Sequence, residues 1–285
     1  MSNVNLNKAR LAKNDEFYTQ YEDIHNELQH YIHHFEDKVI YCNCDAEWSN
    51  FYKYFKDNFD NFKLKKLIST HYEKDNTSYK LEYDGLEEVK TSLTGDGDFR
   101  SDECITILKE ADMVVTNPPF SLFREYILQL VNYGKDFIII GSQNAITYKE
   151  VFPLLKDNKL SLGINAVKEF TRPDGEIQRF GNICWFSTFN DIKNTKLNLI
   201  KKYNPIDYPK YDGYDIINVN KVKDIPYDYT GVMGVPITFL DKYNPDDFTI
   251  LGIANSERYL FYECSTVING KNTYQRILIK RKLDA

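Results

Sequence analysis

The sequence predicts an α/β protein whose main sheet is parallel, with a smaller β-rich C-terminal region. Three observations carry this expectation. Over residues 1–190, short runs of β-branched and aromatic residues alternate with amphipathic stretches of helical spacing. Two of the runs, MVVT (113–116) and FIIIG (137–141), are continuously apolar, as strands buried on both faces are. Beyond about residue 190 the helical rhythm gives way to segments rich in Asn, Asp, Pro and Tyr, such as KKYNPIDYPKYDGYD. Residues 1–190 are therefore expected to form one domain and 191–285 a second region packed on it.

In chain order, Ile24, Leu28, Ile32 and Phe35 predict an amphipathic helix over 21–37. His30, His33 and His34 lie between them; no Cys or carboxylate motif completes a metal site there, so they are read as a solvated face and no metal is expected. VIYCNC (39–44) predicts a strand closed by Asp45, and Trp48, Phe51, Tyr52, Phe55 and Phe59 mark the stripe of the helix after it. KKLIST (65–70) predicts the next strand, YKLEYDG and VKTSL a hairpin, GDGDFRSDE a polar loop and 101–110 a helix. MVVT runs directly into NPPF (117–120), after which Phe123, Ile127, Leu130 and Val131 form another helical stripe ahead of FIIIG. In the later region GVPITFL, FTILGIA and YQRILIKR predict short strands.

A chain of 285 residues, 42% hydrophobic and 15% aromatic, can bury a sizeable core, which excludes disorder. No apolar run nears the roughly 20 residues that cross a bilayer, and the opening MSNVNLNKARLAKNDEF lacks the apolar centre of a signal peptide, so a cytoplasmic protein with no membrane partner is expected. Five cysteines without paired Cys-x-x-Cys spacing suggest reduced thiols, with neither a disulfide framework nor structural zinc. The net charge of −6 opposes a polyanionic partner, but it is unevenly spread: −8 over 1–190 and +2 over 191–285. Arg276, Lys280, Arg281 and Lys282 are among the basic groups available for phosphate contacts in the later region.

In an open α/β sheet, ligands bind where loops leave the carboxyl ends of strands. Three polar loops are expected there: 45–50 after the first strand, 95–99 after the third and 117–120 after the fourth. The G-x-G-x-x-G of a dinucleotide reader is replaced by CDAEWSNF, which disfavours NAD and FAD. An acid at the end of the first strand, ahead of a helix N-terminus, suits an adenosyl or amino-acid moiety instead.

The sharpest signal is Asn117-Pro118-Pro119-Phe120. The exocyclic amine of adenine is a weak nucleophile because its lone pair is delocalised into the ring. Acceptors aimed at its hydrogens favour the tetrahedral form that attacks a methyl donor. The Asn117 side-chain oxygen and the Pro118 carbonyl can be those acceptors, Pro118 and Pro119 stiffen the loop, and Phe120 offers a stacking face for an extruded base. Asn-Pro-Pro alone also reads as a turn ending a strand; its position after a buried central strand favours function.

NDEFYT (14–19), YCNCDAEWSNF (41–51), GDGDF (95–99) and NPPF, in that order and followed by GVPITFL and INGKNTYQRILIKRK, resemble the EcoRI-type adenine-specific DNA methyltransferases over nearly the whole chain. The resemblance implies a Rossmann-like, S-adenosylmethionine-dependent sheet over 1–190 and target recognition by 191–285. It implies site-specific methyl transfer to N6 of an adenine flipped out of double-stranded DNA, and it is compatible with a partner restriction endonuclease. By the same resemblance, Tyr18 and Thr19 lie in a segment closing over the methionine part of the donor. Asp45, Ser49, Asn50 and Phe51 line the donor pocket, and Asp98 and Phe99 meet the donor's adenine. Related enzymes carry a glycine loop after strand one and a ribose-holding acid after strand two; here the second strand ends LISTHYE, and Glu73, or His71 with Tyr72, takes the acid's place. The other readings are methylation of a protein glutamine amide, methylation of RNA adenine, and a non-catalytic DNA-binding protein on this scaffold.

Overall fold

The computed structural model describes residues 18–73, 78–172, 174–192, 196–254 and 264–282. Residues 14–17 of the NDEFYT segment lie outside the described residues. The chain divides into two compact units, Met1–Val151 with Leu162–Phe189, and Phe152–Ser161 with Asn190–Ala285.

One nine-stranded sheet organises the first unit. Its strands are β1 (Tyr18–Thr19), β2 (Val39–Cys42), β3 (Lys66–His71), β4 (Tyr79–Tyr83), β5 (Glu88–Ser92), β6 (Met113–Thr116), β7 (Asp136–Ser142), β8 (Ser161–Thr171) and β9 (Ile177–Ser187). Their order is β1-β8-β9-β7-β6-β2-β3-β4-β5. The neighbours β7, β6, β2 and β3 are parallel. On either side β4 and β5, and β9, β8 and β1, bring antiparallel pairings. The sheet is thus mixed rather than parallel throughout. Parallel neighbours need long crossovers, whereas the 79–92 and 161–187 segments return by short turns and can only add antiparallel strands.

The parallel strands are apolar because both faces are covered. Every residue of β2 and β6 is buried, as are residues 137–141 of β7. The helices of this unit are α1 (Tyr21–Leu28), α2 (Asn50–Asp57), α3 (Asp102–Glu110) and α4 (Phe123–Asn132). They bury Phe51, Tyr52, Tyr54 and Phe55 on α2, Cys104, Ile107 and Leu108 on α3, and Phe123, Tyr126, Ile127 and Leu130 on α4.

Three apolar residues lie elsewhere than the helical stripes predict, one of them Val131, which is 37% exposed near the end of α4. After Leu28 the chain tightens into a 3₁₀ turn over Gln29–His34, which stacks every third residue. That change of pitch buries Tyr31 and leaves Ile32 41% exposed. Trp48 precedes α2 rather than joining its stripe, and is 48% exposed.

The second unit holds α5 (Phe152–Lys156) and strands β10 (Ile216–Asn218), β11 (Val232–Val235), β12 (Phe248–Ala254), β13 (Val267–Ile268), β14 (Lys271–Asn272) and β15 (Arg276–Arg281). A four-stranded sheet runs β10-β11-β15-β12, and β13 and β14 pair only with each other. GVPITFL is a strand only as far as Val235. Pro236 removes a ladder donor, and a 3₁₀ turn follows over Ile237–Lys242. Among the described residues no helix is long and apolar enough to cross a membrane.

Candidate active site

The carboxyl ends of β2, β3 and β6 open onto one pocket of about 580 Å³ in the first unit. All the site residues singled out by sequence line it. Tyr18 and Thr19 come from β1, Asp45 and Ser49 from the turn into α2, Asn50 and Phe51 from its first two residues, and His71 and Tyr72 from the end of β3. Asp98 and Phe99 come from the 95–99 loop, and Asn117, Pro118, Pro119 and Phe120 from the loop after β6. Cys44, Ala46, Trp48, Glu73, Arg100, Ser121 and Leu122 complete the wall.

The turn after β2 is held by buried polar groups. Asn43 donates its amide to Tyr41 Oη at 2.6 Å and to Thr70 Oγ1 at 3.0 Å. Cys44 then takes φ of 62°, the left-handed conformation for which glycine is the usual residue. The chain thereby makes its sharp turn beside the pocket without a glycine. Asp45 follows, 9% exposed, with Ser49 Oγ donating to Oδ1 and Thr116 Oγ1 2.6 Å from Oδ2. Burial pushes its carboxyl up to about 7, against the opposing pull of the two hydroxyls. Ser49 also caps α2 by accepting Phe51 N at 3.1 Å. Asn50 donates to Thr19 O at 2.8 Å, and Gln20 to Thr171 Oγ1 at 2.7 Å, so β1 is fastened at the pocket's edge from both sides.

The 95–99 loop follows the edge strand β5, not the third strand of the parallel core. It reaches the pocket by doubling back to the end of β3, where Glu73 N donates to Asp96 O at 3.0 Å. Gly97 makes that return at φ of 79°; a Cβ there would lie 2.3 Å from His71 O, so only glycine fits. Asp98 is gripped by Arg100 through Nη2 to Oδ2 at 2.6 Å and Nε to Oδ1 at 2.9 Å, and Arg100 also reaches Glu125 at 3.0 Å. The guanidinium holds the Asp98 carboxyl below the usual carboxylate range. Phe99 is 3% exposed and meets Tyr126 edge-on at 4.9 Å.

Past β6, Pro119 O accepts Leu122 N at 3.0 Å, closing a 3₁₀ turn that starts at Phe120. The Phe120 ring stands nearly perpendicular to Phe170 on β8 and Phe180 on β9, at 6.0 and 6.2 Å. Also on the pocket wall, Trp48 meets His71 edge-on at 5.1 Å, and His71 Nε2 lies 3.7 Å from Glu73 Oε2. Sequence reasoning missed Trp48 and Arg100 as pocket residues. In sequence Trp48 reads as part of a helical stripe, and Arg100 carries no signal beyond standing two residues from Asp98.

A family model described as adenine-specific methyltransferase EcoRI matches residues 5–282. The type II methyltransferase M.EcoRI of Escherichia coli is 47% identical, over 99% of this chain and 97% of its own length. The type II methyltransferase M.MgeORF184P of Mycoplasma genitalium is 38% identical, over 97% of this chain and 98% of its own. The type II methyltransferase M.MpnI of Mycoplasma pneumoniae is 37% identical over the same shares. No solved structure matches the chain. With a family model matching residues 5–282 and relatives 37–47% identical over nearly the whole chain, the chain belongs to the EcoRI family of adenine-specific methyltransferases.

Proposed function

We propose that this methyltransferase takes its methyl group from S-adenosylmethionine and delivers it to N6 of an adenine flipped out of double-stranded DNA, in the cytoplasm. On this reading residues 1–190 are a catalytic domain on a Rossmann-like sheet, and residues 191–285 recognise the target sequence. The observation that carries it is the convergence of the Asn117-Pro118-Pro119-Phe120 loop with the Asp45 and Asp98 loops and β1 on one pocket. The relatives' designation as type II methyltransferases supports duplex DNA as acceptor and a partner restriction endonuclease of the same specificity.

The residues present suit that donor. Thr19 Oγ1 is buried on the pocket wall with no hydrogen-bond partner among the described residues, a polar atom fit for the donor's amino-acid end. Asp45 offers a carboxylate to a cationic group, while Ser49 and Asn50, whose side chains are already engaged, act by holding Asp45 and β1 in place. Asp98 and Phe99 receive the donor's adenine, and Glu73, or His71 with Tyr72, its ribose. When bound, S-adenosylmethionine supplies an electrophilic methyl group on a positively charged sulfur. The Asn117 side-chain oxygen and the Pro118 carbonyl accept the hydrogens of the target amine, freeing its lone pair, and Phe120 stacks on the extruded base.

Labelled-donor transfer assays on duplex DNA, RNA and a glutamine peptide test the reading. N6-methyladenine is expected in duplex DNA alone. Asn117→Ala is expected to cost on the order of 10²-fold in turnover with donor affinity unchanged. Label in RNA alone, or an Asn117→Ala rate within about twofold of wild type, would refute the assignment.

A further inference from the structure

The short hairpin of the second unit is built to present side chains rather than to bury them. β13 and β14 pair only with each other, Val267 opposite Asn272 and Ile268 opposite Lys271. So small a ribbon is not stable by itself and needs anchoring. The anchors are specific. Asn269 and Gly270, at φ of 51° and 73°, make the primed two-residue turn that suits a hairpin. Their two N–H groups donate to the Asp212 carboxylate at 2.9 and 2.8 Å. Asp212 N donates in turn to Val267 O at 2.8 Å. At the base of the hairpin Thr273 donates twice to Thr266 O, from N at 2.9 Å and from Oγ1 at 2.6 Å. Ile268 packs on the core formed by Tyr211, Ile216, Ala254, Cys264 and Leu278.

The chain so fixed carries two exposed residues on β14, Lys271 next to the turn and Asn272 opposite Val267 at the base of the ribbon. Close by, Tyr274 is 81% exposed, more than any other described aromatic side chain. A rigid strand pair fits the major groove, about 12 Å wide, and an amide side chain offers the donor and acceptor together that one base edge requires. A lysine and a tyrosine hydroxyl beside it suit the adjoining phosphates. Taking duplex DNA as the acceptor, as argued above, we propose that the 267–272 hairpin with Tyr274 enters the major groove and that Asn272 reads a base edge there. Holding the ribbon rigid before binding lowers the ordering cost that a mobile loop would incur on DNA.

The test uses the full chain. Methylome sequencing of a methylation-free host expressing the wild type defines the motif. Purified wild type, Asn272→Ala and Tyr274→Ala are then compared on the cognate duplex and on duplexes changed at one base pair. Both side chains are exposed, so thermal midpoints and donor affinity are expected to stay close to wild type. Asn272→Ala is expected to lose discrimination at one position of the motif by about tenfold or more. Tyr274→Ala is expected to weaken binding evenly across the duplexes. Unchanged discrimination at every position in Asn272→Ala would overturn the hairpin proposal alone. A wild type that methylates no DNA would overturn the functional reading and this proposal with it.

Discussion

A carboxyl group buried beside a pocket that receives a cation titrates with its guest. Burial raises Asp45 from an ordinary 3.8 to about 7, so folding favours its protonated form. The stability this contributes is full below pH 4 or so and is lost as pH rises through about 7. A cationic donor favours the ionised carboxylate, so donor affinity is expected to climb with pH up to about 7 and then level off. Asp45→Asn is expected to flatten both the stability slope and the affinity slope, read by denaturant titration and calorimetry across that range. A donor affinity independent of pH in the wild type would remove Asp45 from the donor's cationic end. How far such a site is legible in sequence varies from residue to residue. Asn117 stood out because a buried apolar strand runs straight into a rigid polar loop, a pattern with few structural uses. The turn at Cys44 was hidden because its left-handed backbone is carried by a residue that does not advertise it.

At the scale of elements, the strands buried on both faces were legible because composition alone marks them, whereas the long β8–β9 hairpin was not. In β8 the apolar residues Leu162, Ile164, Val167 and Phe170 follow neither a period of two nor one of 3.6. The irregularity has a cause inside α1. The Glu27 carboxylate, fully buried, accepts Ile164 N at 2.9 Å, Asn165 N at 2.7 Å and Tyr31 Oη at 3.1 Å. Two consecutive backbone N–H groups of β8 thus bond to a side chain, which breaks the strand's alternation. Gly163 admits the carboxylate, since a Cβ there would lie 2.2 Å from Glu27 Oε1. Beyond this anchor β8 pairs with β1 and brings Phe170 to Phe120, so Glu27 helps set two walls of the pocket from a distance. Glu27→Ala leaves buried donors without partners and is expected to cost about 3 kcal/mol or more by chemical denaturation. Glu27→Gln keeps an acceptor for one of them and is expected to cost less. Equal stability of Glu27→Ala and wild type would show that the anchor contributes nothing.

For the whole molecule, the question is how a chain of net charge −6 holds a polyanion. The charge is segregated, with −8 over residues 1–190 and +2 over 191–285, so phosphate contacts are expected from the later residues. Among these, Arg276 is already engaged within the protein, since it is 8% exposed and donates to Asn218 Oδ1 at 3.2 Å, beside the Tyr211 hydroxyl. The opposite end of β15 is different. Lys280 and Lys282 are exposed there and Arg281 half-buried, while Lys282 N donates to Asp247 O at 2.8 Å and keeps the end of the chain in place. The six residues of β15 span about 20 Å, close to the length of six base pairs, so its two ends can serve one footprint. Replacing Lys280, Arg281 and Lys282 together by Gln is expected to weaken binding to duplexes of any sequence. The slope of log K against log salt should fall by about 0.9 for each phosphate that is no longer neutralised. Donor binding and discrimination between duplexes should hold, because phosphate contacts position the protein and carry no base information. A salt slope unchanged in the triple variant would assign these three side chains to solvent and return the phosphate contacts to other basic residues of the chain.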